Sequence, residues 1–152
     1  MKYSLLTIAI LSVTAFVGCD AGPQSGRGFS LPKGDVQRGK AAFLEFQCNA
    51  CHSVPGIEQL ASDDEKRISV ALGGEVKHVQ TYGELVTSII NPSHRLAKGY
   101  PDEQIEEGGK SKMRNYNDVM TVSQLIDLVD FLQSKYTLEP YEPTDYEVYP
   151  YL

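Results

Sequence analysis

No stretch of this chain constrains it more than Cys48-Asn49-Ala50-Cys51-His52. Two thiols three residues apart stand on one side of a helical turn, and a histidine directly after the second is the arrangement that attaches haem covalently. Each sulfur adds to a vinyl group and the imidazole takes the iron. Three other uses of these residues remain as alternatives, and each asks for something more. A zinc site needs two further ligands, and His78 and His94 do not match the close second pair of zinc modules. A thioredoxin-like disulfide follows a strand, whereas Phe43 to Gln47 continues a helical pattern. A structural disulfide is permitted outside the cytoplasm but leaves His52 without a role. With only three cysteines in 152 residues, packing or a bound group must hold the core.

The spacing of apolar residues is helical in three places. Asp35 stands as an N-cap before Val36, Gly39, Phe43 and Phe46, which predicts a helix over about 36–47. Thr81 and Glu84 form a capping box ahead of Leu85, Val86, Ile89 and Ile90, and Pro92 stops that helix. Thr121 and Gln124 repeat the box, with Val122, Leu125, Ile126, Val129 and Leu132 on one side and Ser123, Asp127, Asp130 and Gln133 on the other. No alternating pattern competes, so the expected class is all-α. The intervals 53–80 and 93–119 read as loops, and loops that long need something to wrap around. A large buried cofactor serves.

The N-terminus is an address. Lys2 precedes an apolar run from Leu5 to Val17 that is too short to cross a bilayer comfortably, so residues 1–18 read as a signal peptide. The run ends at Phe16-Val17-Gly18-Cys19, which resembles a bacterial lipobox and implies lipidation of Cys19; Phe16 departs from the usual Leu, and ordinary secretion is the alternative. Asp20 leans toward inner-membrane retention. Residues 19–34 are rich in Gly, Pro and Ser and read as a flexible tether, whose last fifteen residues span roughly 20 Å. The expected location is periplasmic and lipid-anchored, with a soluble periplasmic protein as the alternative. Acidic side chains outnumber basic ones by 20 to 14, a net charge of -6, and no nucleic-acid partner is expected.

From Gly34 to Tyr136 the chain resembles a class I cytochrome c. An N-terminal helix carries Gly39 and Phe43, the attachment motif follows, and a middle helix, a methionine loop and a C-terminal helix complete the pattern. The resemblance implies the cytochrome c fold, three main helices and long loops around one covalently bound haem c, in a domain spanning 35–136. It also implies that the N- and C-terminal helices cross closely at Gly39 with aromatics in contact, Phe131 being the partner of Phe43. The loop Ser111-Lys112-Met113-Arg114-Asn115-Tyr116 is similar to the family's Met-Pro-x-aromatic ligand loop, with Arg114 in the place of proline. Met113 is thereby the implied second axial ligand of the iron, opposite His52.

Met120, His94 and His78 are the competitors for that place. Met120 directly precedes the cap Thr121 and pairs with Leu125 as a hydrophobic staple, a structural use. His94 ends a helical turn, where a histidine often caps carbonyls. The family's Gly-Pro-x-Leu segment is missing after His52, so the acceptor of its second imidazole proton is unassigned.

The resemblance implies one-electron transfer rather than enzymatic catalysis. The expected partners are a quinol-oxidising complex, a terminal oxidase or a periplasmic oxidoreductase. An open or bis-histidine site acting as a small-molecule enzyme or gas sensor is the competing class. Lys110, Lys112 and Arg114 would rim the haem edge and steer acidic partners. The tail, 137–152, is acidic and dense in Tyr and Pro; neither helix nor strand suits it, and it is expected to lie along the domain or a partner.

Overall fold

The structure, a computed structural model, describes residue 26 and residues 28–61, 68–78 and 80–140. The expected signal peptide, Cys19 with its lipid, the tether up to residue 25 and the tail from 141 lie outside the described residues. The chain divides into two units, Met1–Ser30 and Leu31–Leu152. In the first, the Phe29 N–H closes a turn on the Gly26 carbonyl at 3.1 Å.

The second unit carries the three expected helices. They are α1 (Val36–Glu45), α2 (Tyr82–Ile90) and, after a short helix α3 (Asp102–Ile105), α4 (Val122–Gln133). Asp35 caps α1 by accepting from the Gln37 and Arg38 amides, and both capping boxes form as their sequences require.

The all-α expectation is wrong. The intervals read as loops hold short strands: β1 (His52–Ser53), β2 (Val70–Ala71), β3 (Gly74–Val76), β4 (Glu106–Glu107) and β5 (Lys110–Ser111), with β6 (Tyr136–Leu138) after α4. They form three two-stranded sheets among the described residues. β1 pairs with β2 and β3 with β6 in parallel, and β4 pairs with β5 antiparallel. The fold is therefore mixed α/β in small pieces, and each long segment closes on itself through backbone pairing, the first also on β6. Strands of two or three residues are too short to display an alternating pattern, so they escape detection by periodicity. β6 likewise corrects the reading of the chain beyond Lys135, whose first residues form a strand.

α1 and α4 cross where Gly39 leaves room. A Cβ at Gly39 would stand 2.0 Å from the Asp127 carbonyl oxygen and 2.6 Å from Phe131 Cβ, so only glycine permits this approach. Beside it the Phe43 and Phe131 rings meet tilted, centroids 5.6 Å apart, a contact that contributes about 1 kcal/mol beyond area burial. Around this pair Leu85, Val86, Ile89, Leu128, Val129 and Leu132 complete the core.

Two residues of α4 depart from their expected faces. Val122, assigned to the buried stripe of α4, is 72% exposed, while Asp127, assigned to its polar side, is 6% exposed and faces α1. The carboxylate tolerates burial because donors meet it: the Asp35 amide at 2.7 Å, Arg38 Nε at 2.8 Å and Arg38 Nη2 at 3.2 Å. Asp127 thus ties the start of α1 to the middle of α4.

The Arg38 hydrogen bonds, followed by the Asp35 amide, hold the Asp127 carboxyl below its ordinary value. A carboxyl depressed in the folded state stabilises fully above its unfolded value, about 3.9, and the contribution is lost as pH falls through the folded value. Asp127→Asn is expected to melt at a lower temperature than the parent near neutral pH. The gap should close as pH is taken below about 4, which circular-dichroism melts across that range will read.

Candidate functional site

α1 delivers the chain to the motif through a sharp exit. The helix ends at Glu45, not 47, because Gln47 adopts a left-handed conformation at φ 55° and ψ 33°. The chain then turns directly into a 3₁₀ helix, Cys48–Ala50, in which the Cys51 amide donates to the Cys48 carbonyl at 3.2 Å. The i to i+3 spacing of a 3₁₀ turn stacks the two cysteines on one side, as the motif requires. Cys48 is half-buried and Cys51 exposed, and both are thiols rather than a disulfide. Burial pushes the Cys48 thiol up to about 11.

His52 opens β1 in register with Val70 of β2. Its Nδ1 lies 3.2 Å from the Val70 carbonyl oxygen. A carbonyl only accepts, so Nδ1 carries the proton and Nε2 keeps its lone pair for a metal. Burial lowers the imidazole's proton affinity and the Val70 bond opposes that, which leaves the neutral ligand-ready form favoured. The residue that accepts the second imidazole proton is therefore Val70, eighteen positions downstream, where no sequence signal marks it.

The motif is clamped on two sides. The Val70 amide donates to the Cys51 carbonyl and the Leu72 amide to the Ser53 carbonyl, each at 2.8 Å. Asn49, buried at 4% exposure, donates from Nδ2 to the Glu58 carbonyl at 2.9 Å, and its own carbonyl accepts from the Leu60 amide at 3.2 Å. Asn49, which stands between the two cysteines, folds the following loop back on the turn. A groove of about 480 Å³ lies beyond it, lined by Lys40, Leu44, Asn49 and residues 56–61, away from His52 and Met113.

Met113 lies half-buried just after β5. Its amide donates to Ser111 Oγ at 3.1 Å, and the Lys112 amide donates to the Ile105 carbonyl at 2.8 Å. Three residues on, the Tyr116 hydroxyl donates to the Phe46 carbonyl at 3.0 Å, and the two rings meet with centroids 5.5 Å apart. This bond spans seventy residues and brings the methionine loop beside the entry to the motif. Burial raises the Tyr116 phenol, and the charges of Cys48 and Cys51 add to that, so the three groups are electrostatic neighbours. Of the basic rim, the Arg114 guanidinium lies 5.6 Å from the centre of the Tyr116 ring in its own loop, and Lys112 Nζ donates to the Glu103 carbonyl of α3.

The competing ligands separate. Met120 and Leu125 are each partly buried against the core. His78 is exposed. His94 ends a 3₁₀ turn, Pro92–His94, where its Nδ1 bonds the Asn91 carbonyl at 2.8 Å. The Ser111 amide donates to Ser93 Oγ at 3.1 Å, so this turn sits against β5, which ends just before Met113.

Among the described residues no three His, Cys, Asp or Glu side chains gather to hold a bare metal ion, and no helix is long and apolar enough to cross a membrane. The donor set fits a haem instead: two separate thiols on one turn and an adjacent imidazole whose tautomer is fixed. No protein-family model, curated protein or solved structure matches the chain.

Proposed function

We propose that this protein is a monohaem c-type cytochrome and carries single electrons in a periplasmic respiratory chain. The observation that supports this best is the Cys48–Cys51 turn followed by His52 with Nδ1 committed to the Val70 carbonyl. Cys48 and Cys51 would hold the haem through their sulfurs, and His52 Nε2 and Met113 would ligate its iron. Bound there, haem supplies one-electron chemistry at iron.

The chain's own residues do the rest. Burial keeps the imidazole neutral and the Val70 carbonyl keeps it aimed. The Ser111 and Tyr116 bonds restrain the methionine loop, where Arg114 stands in place of a φ-fixing proline. Partners are redox proteins: a quinol-oxidising complex, a terminal oxidase or a periplasmic oxidoreductase. The protein reaches them as a lipid-anchored periplasmic carrier held through Cys19.

Expression of the full chain in cells competent for cytochrome c maturation is expected to yield a red protein. Its mass should exceed that of the processed polypeptide and any lipid by one haem, stable to acid and organic extraction. A colourless preparation at the unmodified mass rejects the proposal.

A further inference from the structure

The Val70–Ala71 peptide unit is engaged at both ends. Its carbonyl accepts from His52 Nδ1 at 3.2 Å, and its N–H donates to the Tyr100 hydroxyl oxygen at 3.0 Å. β2 is the second strand of a two-stranded sheet, with β1 on one side and the Tyr100 hydroxyl on the other. Tyr100 is half-buried in the segment before α3, twenty-nine residues beyond Ala71.

We propose that Tyr100 is a positioning residue for His52 and acts on the imidazole through this single peptide unit. The inference rests on the reading of His52 as an iron ligand. An acceptor at an amide N–H draws electron density through the conjugated C–N bond onto the carbonyl oxygen, and chained hydrogen bonds strengthen one another by about 10–30% each. A stronger acceptor at Val70 pulls harder on the Nδ1 proton. The imidazole becomes more electron-rich, Nε2 donates more strongly, and ferric iron is favoured over ferrous. Removing the hydroxyl reverses each of these effects.

The test is Tyr100→Phe in the full-length, haem-loaded protein, a change that keeps the ring and deletes one oxygen. The one-electron reduction potential is expected to rise, with the reduced-to-oxidised equilibrium shifting about threefold, or about 28 mV on the scale of 59 mV per decade. In the reduced protein the His52 Nδ1 proton, followed by nitrogen-15 NMR, should exchange with water faster and move upfield. A lower melting temperature with unchanged potential and unchanged Nδ1–H signal assigns Tyr100 a merely structural part and overturns the proposal. Should the parent protein itself be colourless, the reading of the iron site fails separately. The relay is then judged on that same protein, where Tyr100→Phe must lower the share of the Nδ1–H tautomer, and an unaltered tautomer ratio overturns it.

Discussion

Met113→Ala is expected to open the iron site. The oxidised and reduced spectra of the variant should lose the signature of a sulfur-ligated low-spin iron, the reduced form should bind carbon monoxide, and the potential should fall by on the order of 0.1 V, within the range of about 0.8 V that axial ligands control. The physical reason is that a thioether is a soft ligand that favours the ferrous state and blocks small molecules. Attachment should survive, because Cys51 and His52 are held by the β1–β2 clamp, and Cys48 by the turn that leads into it, and not by the methionine loop. His94→Ala is the paired control. His94 already uses Nδ1 on its own turn and is exposed, so its removal should leave the spectrum unaltered. A Met113→Ala spectrum identical to the parent, with a changed His94→Ala spectrum, would move the ligand to His94 and make the site bis-histidine.

Gly39→Ala is expected to destabilise the protein by about 2–3 kcal/mol, although alanine is the better helix former by about 1 kcal/mol. The sign follows from what the methyl would meet. Its position falls 2.0 Å from the Asp127 carbonyl oxygen and 2.6 Å from the Asp127 carbonyl carbon, both backbone atoms that no rotamer change can move. Relief requires α1 to withdraw from α4, which loosens the Phe43–Phe131 contact and the three donors on Asp127. In a domain of this size the loss should lower the melting temperature by about 8–15 °C. A variant as stable as the parent would mean that the two helices do not approach each other at Gly39. Because α1 leads directly into the motif, the same variant should also recover less haem on maturation.

The helices and their caps were legible because they rest on local chemistry. Thr81 with Glu84, and Thr121 with Gln124, satisfy the first-turn amides of the helix they precede, and that signal lies within four residues. Asp127 and Val122 were misassigned because periodicity averages over a face, and it has no means of seeing that Arg38 and the Asp35 amide wait opposite one carboxylate. The placement of Cys48 and Cys51 on one side of a turn with His52 beside them was legible, because the spacing itself is the signal. Val70, Tyr100 and the Tyr116 bond to Phe46 were not, since a backbone carbonyl carries no side-chain identity and contacts across eighteen to seventy residues leave no pattern in the sequence.

The sequence by itself determined where the helices begin and which thiols and imidazole stand together, because short-range hydrogen bonding and the fixed rise of a turn decide both. Only the tertiary structure decided the mixed α/β character, the burial of Asp127 and the carbonyl that orients His52. Each of these depends on which distant backbone groups meet when the core around Phe43 and Phe131 closes, and satisfying every polar group brought inside that closure is a property of the whole chain.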